Sequence, residues 1–547
     1  MIATLALLLA AASAARASLP PGTVADKVAL AGQGSISGVR DTANNTRYWL
    51  SVPFAADAGG SNRFLPPQPR PAWPGVIDAT EYGPGCPSLH HNADVPTSTK
   101  EDCLNTDIFA PASATGPVPV VVWFYGGGFA EGSNSGPFRL YDGAYMAAHH
   151  NVLVVQPNYR LGALGFARFK GTSAKGNAGL MDQDFALRWV QKHAAEFGGD
   201  PSQVTIMGES AGAMSIGMHL TRPNARGLFQ RAVMESNFAG YVYRNASGAD
   251  DFGETVCQNV PGCSPGCSLE CLQAANLTTM TKAWKKASGD IIDFVLSDFS
   301  HLIDCILAFT PIVDGEFVTE LPLAAIASGS PNFQADVPVL LGTNGFEGQT
   351  FVYAATKADI PSALMPLVYP VIFGGEDNSA AILSQPRYAT ALSPDAKVQL
   401  SNIITDAYFR CASERFADAA TAPAFVYRYN HTFSHSEVFG KFGLPTVCEK
   451  VACHASELPF VWHNDVPSLN ATFDAQELAL TGQMDAYWAS FIAHGDPNTA
   501  AAPGAPQWPR WSTADKTNIR FDTPGPQLED SKAMCAFWEA LPGFGFW

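Results

Sequence analysis

Apolar positions along the chain fall into two kinds of run. Val118–Phe124 is almost continuously β-branched and aromatic, the pattern of a strand buried on both faces. Residues 152–155, 204–207 and 337–341, and later Ala424–Tyr429, repeat it and predict further strands. Elsewhere the period is helical. Residues 184–197 place Leu187, Val190, Ala194 and Phe197 on one face, open on an acidic residue and stop at Gly198 and Gly199. Residues 478–494 align Met484, Trp488 and Phe491 with Ile492, and Gly495 and Pro497 close them. Strands alternating with helices and loops predict an α/β fold, a large mostly parallel sheet flanked by helices on both faces. Residues 19–115 read as irregular with short β-like runs, and 240–310 as an excursion from the sheet. No repeat, low-complexity tract or linker divides the chain, so residues 18–547 read as one domain.

The stretch after residues 204–207 carries chemistry. Gly208-Glu209-Ser210-Ala211-Gly212 is a G-x-S-x-G sequence between a strand pattern and small helix-tolerant residues. A strand turning sharply into a helix at Ser210 needs glycine two before and two after, where a side chain would strike the neighbouring strand. Such a turn presents the hydroxyl at the carboxyl edge of the sheet, with a helix N-terminus behind it that favours negative charge.

A serine hydroxyl needs a base, normally a histidine held by a carboxylate. In the order Ser, acid, His, both His454 and His463 qualify as the base. Glu347 lies just past a strand pattern, in a loop with Gly345 and Gly348, and is the preferred acid; Asp314 is its rival. Gly126, Gly127 and Gly128 follow the apolar run Val118–Phe124 and let the main chain approach a substrate closely. The amides of Gly127, Gly128 and Ala211 would make an oxyanion hole of three donors. His431 and His435 are four apart but lack the flanking Glu of a metalloprotease helix, so no metal is expected, and no cofactor.

Composition narrows the setting. The chain has 547 residues, 47% hydrophobic and 15% charged, which is ample for a large core. A net charge of −17 argues against nucleic acid or an anionic membrane as partner. Residues 1–17 read as a secretory signal, with an uncharged apolar run and a small-x-small site at Ala15-Arg16-Ala17. No later stretch is apolar enough to span a membrane. Sequons at Asn44, Asn245, Asn276, Asn430 and Asn470 fit an exported glycoprotein. Eleven cysteines in such a chain imply disulfides with one thiol left over, and the cluster of Cys263, Cys267 and Cys271 reads as a stapled loop.

The sequence resembles the type-B carboxylesterase/lipase family, which contains the cholinesterases. The likeness extends beyond the serine motif to Glu101-Asp102-Cys103-Leu104, residues 125–129, 158–166, 176–183, 197–201 and 311–317, and Met534-Cys535-Ala536-Phe537-Trp538. The resemblance implies an α/β-hydrolase fold, with Ser210 as nucleophile, Glu347 as acid in an Asn-x-x-Glu-Gly context, and His454 as base in a His-x-x-Glu-Leu context. It matches Gly127, Gly128 and Ala211 to the oxyanion hole, Ser236 to a hydroxyl behind the acid, and Glu209 to an electrostatic support. It also implies the ion pairs Arg160–Asp182 and Arg63–Glu101 and the disulfides Cys86–Cys103 and Cys411–Cys535. Cys257, Cys263, Cys267 and Cys271 then form two bridges with partners open, Cys448 and Cys453 are candidates to pair beside His454, and Cys305 is the odd thiol.

Two departures bear on substrate. No tryptophan stands between Cys86 and Cys103, which argues against a quaternary-ammonium site of the cholinesterase kind. The same loop, residues 88–102, is short and polar and lacks the apolar face of an interfacial lid. The expectation is a secreted serine carboxylesterase acting through an acyl-enzyme on a small-molecule or lipid ester. A lipase acting at interfaces and a catalytically silent adhesion homologue are the alternatives.

Overall fold

The computed structural model describes residues 19–89, 100–136, 139–297, 307–355, 357–373, 375–441, 443–466 and 469–541. The candidate signal at 1–17, most of the polar loop at 88–102, and Cys305 lie outside these residues.

The strands are β1 (Val24–Leu30), β2 (Gly34–Asp41), β3 (Thr46–Pro53), β4 (Val76–Asp78), β5 (Asn105–Pro111), β6 (Val118–Phe124), β7 (Leu153–Pro157), β8 (Gly199–Glu209), β9 (Arg231–Glu235), β10 (Val339–Asn344), β11 (Ala424–Tyr429), β12 (Thr517–Phe521) and β13 (Gln527–Asp530). They form one sheet in the order β1-β2-β3-β5-β7-β6-β8-β9-β10-β11-β12-β13, with β4 beside β2. From β7 to β12 every neighbour is parallel, and antiparallel strands finish both edges. The parallel strands therefore end on a common edge, where ligands bind in sheets of this kind.

Continuous apolar strands are what a two-sided core requires. In β6, Val121 and Trp123 enter one core, while Val120, Val122 and Phe124 enter the other. Met484, Trp488, Phe491 and Ile492 of the helix Ala475–His494 pack into the first. Leu187, Trp189 and Val190 of the helix Ala178–His193 pack into the second.

Three expectations need correction. Among the described residues, 19–115 hold five strands, more regular than the short β-like runs expected; in β1 a buried Asp26 beside exposed Val24 and Ala25 breaks the alternating signal. The helix expected over 184–197 starts at Ala178, since its first turns carry small residues with no stripe; a Cβ on Gly179 would lie 2.4 Å from the Arg160 carbonyl oxygen. The late helix starts at Ala475, where Asp474 and Glu477 form a reciprocal capping box.

Among the described residues five disulfides are formed: Cys86–Cys103, Cys257–Cys267, Cys263–Cys271, Cys411–Cys535 and Cys448–Cys453. Among the described residues no helix is long and apolar enough to cross a membrane. Cys411–Cys535 spans 124 residues and Cys448–Cys453 only 5. Loop closure assigns the first about 5 kcal/mol and the second about 2 kcal/mol. Cys535→Ser should therefore lower the denaturant midpoint clearly more than Cys448→Ser; equal shifts would contradict this ranking.

Candidate active site

At the end of β8 the chain turns at Ser210, which sits at φ 55° and ψ −121° before the helix Ala211–Leu220. A non-glycine residue holds such angles only under constraint. The Ser210 amide donates to the Glu235 carbonyl oxygen at 2.9 Å, and the Met214 amide to the Ser210 carbonyl oxygen at 2.8 Å. A Cβ on Gly208 would approach the Phe124 carbonyl oxygen to 2.7 Å, and one on Gly212 to 1.9 Å. Glycine at both flanks is thus a steric requirement of packing β8 against β6.

Glu347 follows β10 by three residues and is wholly buried. Its Oε2 lies 2.6 Å from His454 Nδ1. Its Oε1 accepts from Ser236 Oγ at 2.7 Å and from the Asn344 amide at 2.6 Å. The loop carrying His454 is held to the acid loop by a parallel bridge between Phe346 and Cys453, with the Phe346 amide donating to the Ala452 carbonyl oxygen at 3.0 Å. The Cys448–Cys453 disulfide braces the same loop.

The other ring nitrogen faces Glu209. His454 Nε2 lies 3.1 Å from Glu209 Oε1, yet neither atom has an aligned hydrogen-bond partner. Burial disfavours the imidazolium, but the carboxylates, Glu209 first and Glu347 next, outweigh it and push His454 up to about 9. Burial pushes the Glu209 carboxyl up, with His454 partly opposing and Glu457 and Glu347 adding to the rise. Glu209 and His454 therefore titrate as a pair. Phe351 and Phe409 pack on the imidazole at 5.0 and 5.3 Å. Phe238 stacks on Phe409 at 4.6 Å, extending an apolar wall beside the imidazole.

After β6 the glycines close over the serine. A Cβ on Gly126 would lie 2.3 Å from Glu209 Oε2 and 2.9 Å from Ser210 Cβ. Gly127 and Gly128 adopt φ 104° and 59°. A Cβ on Gly127 would meet the Glu131 carbonyl oxygen at 2.3 Å. Among the described residues, the amides of Gly127, Gly128 and Ala211 donate to no protein acceptor.

The rival candidates are engaged elsewhere. Asp314 accepts from Asn177 and from the amides of residues 316–318. His463 Nδ1 pairs with Asp485 at 2.6 Å, and Asp485 also faces His150. His431 pairs with Glu477, and His435 with Glu437. Among the described residues no group of three or more His, Cys, Asp or Glu is placed to hold a metal. Arg160–Asp182 at 2.7 Å and Arg63–Glu101 at 2.5 Å are both formed.

Three further residues join the site without having been singled out in the sequence. Asn344 and Glu457 share hydrogen bonds with Ser236, and Glu235, buried beside them, accepts from Trp488 Nε1 at 2.5 Å. Glu457 stands three residues after His454, in the segment that marked the base, which was the available signal.

A sequence model of the carboxylesterase family matches residues 25–538. The chain is 32% identical over 509 residues to a protein of Dictyostelium discoideum called crystal protein, covering 90% of this chain and 86% of that one. It is 31% identical over 510 residues to the para-nitrobenzyl esterase of Bacillus subtilis, covering 90% and 94%. It is 30% identical over 536 residues to the acetylcholinesterase of Bungarus fasciatus, covering 90% and 82%. A solved PNB esterase structure shares the fold with a TM-score of 0.77 at 29% identity, over 93% of this chain and 98% of that one. The likeness runs through β1 to the last helix with the site inside it, and the chain belongs to the carboxylesterase family and is a carboxylic ester hydrolase.

Proposed function

We propose that the protein is a secreted serine esterase in which Ser210, His454 and Glu347 hydrolyse esters through an acyl-enzyme. The observation that carries this reading is the buried 2.6 Å contact between Glu347 and His454, whose other ring nitrogen faces Glu209, the sequence neighbour of a serine held at strained backbone angles. Glu347 fixes the ring so that Nδ1 carries a proton and Nε2 is left to act as base. Nε2 acts in its neutral form. Nε2 and the Ser210 hydroxyl have no mutual hydrogen bond here, and such contacts tighten in the substrate complex.

In the first half-reaction Ser210 Oγ attacks the ester carbonyl carbon and its proton passes to Nε2. The oxyanion is met by the amides of Gly127, Gly128 and Ala211. The carbon–oxygen bond to the alcohol then breaks, and the imidazolium returns its proton to the departing oxygen. Water attacks the acyl-enzyme by the same route, releasing the acid and restoring the Ser210 hydroxyl. Phe238, Phe351 and Phe409 favour an apolar substituent on the ester, small-molecule or lipid. Residues 18–547 act as one domain on this reading, supported by the continuous sheet, and five disulfides support an oxidising compartment.

Ser210→Ala should lower kcat for a p-nitrophenyl ester by about 10⁴-fold or more, with an unchanged circular dichroism spectrum. Near-normal turnover by the folded variant would refute the assignment. Glu209→Gln removes a negative charge that favours the imidazolium. His454 should then lose its proton at lower pH, moving the acid limb of the kcat/KM profile down by about one pH unit. A limb that stays in place or moves up would contradict the role given to Glu209.

A further inference from the structure

Ser236 joins the candidate acid Glu347 to Glu457, a residue with no part in the mechanism above. Ser236 Oγ is wholly buried and has three neighbours: Glu347 Oε1 at 2.7 Å, Glu457 Oε1 at 3.2 Å and Asn344 Nδ2 at 3.2 Å. A hydroxyl has one proton to give and two lone pairs to receive with. Asn344 Nδ2 is a donor and takes one lone pair. The shorter contact assigns the Ser236 proton to Glu347. The contact with Glu457 Oε1 is then favourable only if Glu457 donates, and an ionised carboxylate has no proton to donate.

We propose that Glu457 works as a neutral carboxylic acid whose proton is given to Ser236, so that the Ser236 hydroxyl is held pointing at Glu347. Glu457 is a positioning residue for the triad acid. The chain of donors runs from Glu457 to Ser236 to Glu347, whose other oxygen receives His454 Nδ1. Glu457 Oε2 receives Asn344 Nδ2 at 2.5 Å. Turning that amide over would set its oxygen at the same distance, a contact that again requires a proton on Glu457. The opposite assignment, with Glu457 ionised, turns the Ser236 proton away from Glu347. Glu347 would then need a proton of its own, although the Asn344 amide and His454 both already donate to it.

The surroundings agree. The titratable groups felt by Glu457 are Glu347, His454, Glu235, Glu209, Tyr427 and Tyr429. Among the described residues no arginine or lysine forms an ion pair with it. Burial first, and then the charge of Glu347, raise its carboxyl well above the ordinary range, with Asn344 opposing. A second unpaired charge behind the triad would be costly, and protonation removes it.

The consequence for catalysis rests on the triad proposed above, whereas the protonation state does not, and the tests separate the two. Infrared difference spectra of the full chain at pH 7, wild type minus Glu457→Gln, should show the carbonyl stretch of a buried protonated carboxyl. The same band should persist in a Ser210→Ala background, where no ester is turned over. Its absence overturns the proposal whatever the enzyme does. In kinetics, Glu457→Leu should lower kcat about tenfold or more with little change in KM, and Glu457→Gln, which keeps one donor and one acceptor, should restore most of that loss. The acid limb of kcat/KM in Glu457→Gln should stay within about 0.3 pH units of wild type. A downward shift of about one unit would mean that a negative charge had been removed, which overturns the proposal. Should Glu457→Leu fail to fold, the spectrum and the Glu457→Gln profile still decide it.

Discussion

One buried contact organises the site: the Glu347 carboxylate against His454 Nδ1. Taking a carboxylate out of water costs several kcal/mol unless its lone pairs are filled. Here they are filled by the Asn344 amide, the Ser236 hydroxyl and the imidazole, contributed by the ends of β9 and β10 and by the loop after β11. Each donor is in place because parallel strands end on one edge of the sheet. The fold thereby supplies the solvation that water would otherwise provide, and the imidazole inherits a fixed orientation.

A second constraint is the density of acid around one histidine. Glu209, Glu235, Glu347 and Glu457 are all buried near His454. They cannot all be ionised in so dry a setting, and burial raises Glu209, Glu235 and Glu457 together. Glu347 differs in being met on both oxygens by donors. Environment rather than residue type sets the four carboxyl groups apart. Glu209 occupies the remaining position, close enough to Nε2 to share a proton with it.

Much of this was legible in the chain because the parts of the site are local. The glycines at 208 and 212 report a steric contact with β6, and Glu347 follows its strand at short range. His454 was harder to choose, since His463 met the same order; the family resemblance separated them, and the structure gives His463 to Asp485. Pairings that depend on spatial approach were not readable, among them Cys257–Cys267 and Cys263–Cys271, and the bridge from Phe346 to Cys453. Asn344 and Glu457 stood in the motifs around the acid and the base but, like Glu235, had no role assigned, for the same reason: a carboxylate or amide becomes part of the site only when burial removes water from it. In β1 the alternation was obscured because Val24 and Ala25 are exposed while Asp26 is buried against Arg47.

The most direct test of the central claim is covalent labelling by a fluorophosphonate, with the adduct mapped by mass spectrometry and its rate followed in wild type and in Glu347→Gln. The account predicts a single adduct on Ser210 in wild type and labelling slowed by about 10³-fold or more when Glu347 no longer holds the charge that orients His454. Rapid labelling of the folded Glu347→Gln variant, or an adduct on another residue, would contradict it.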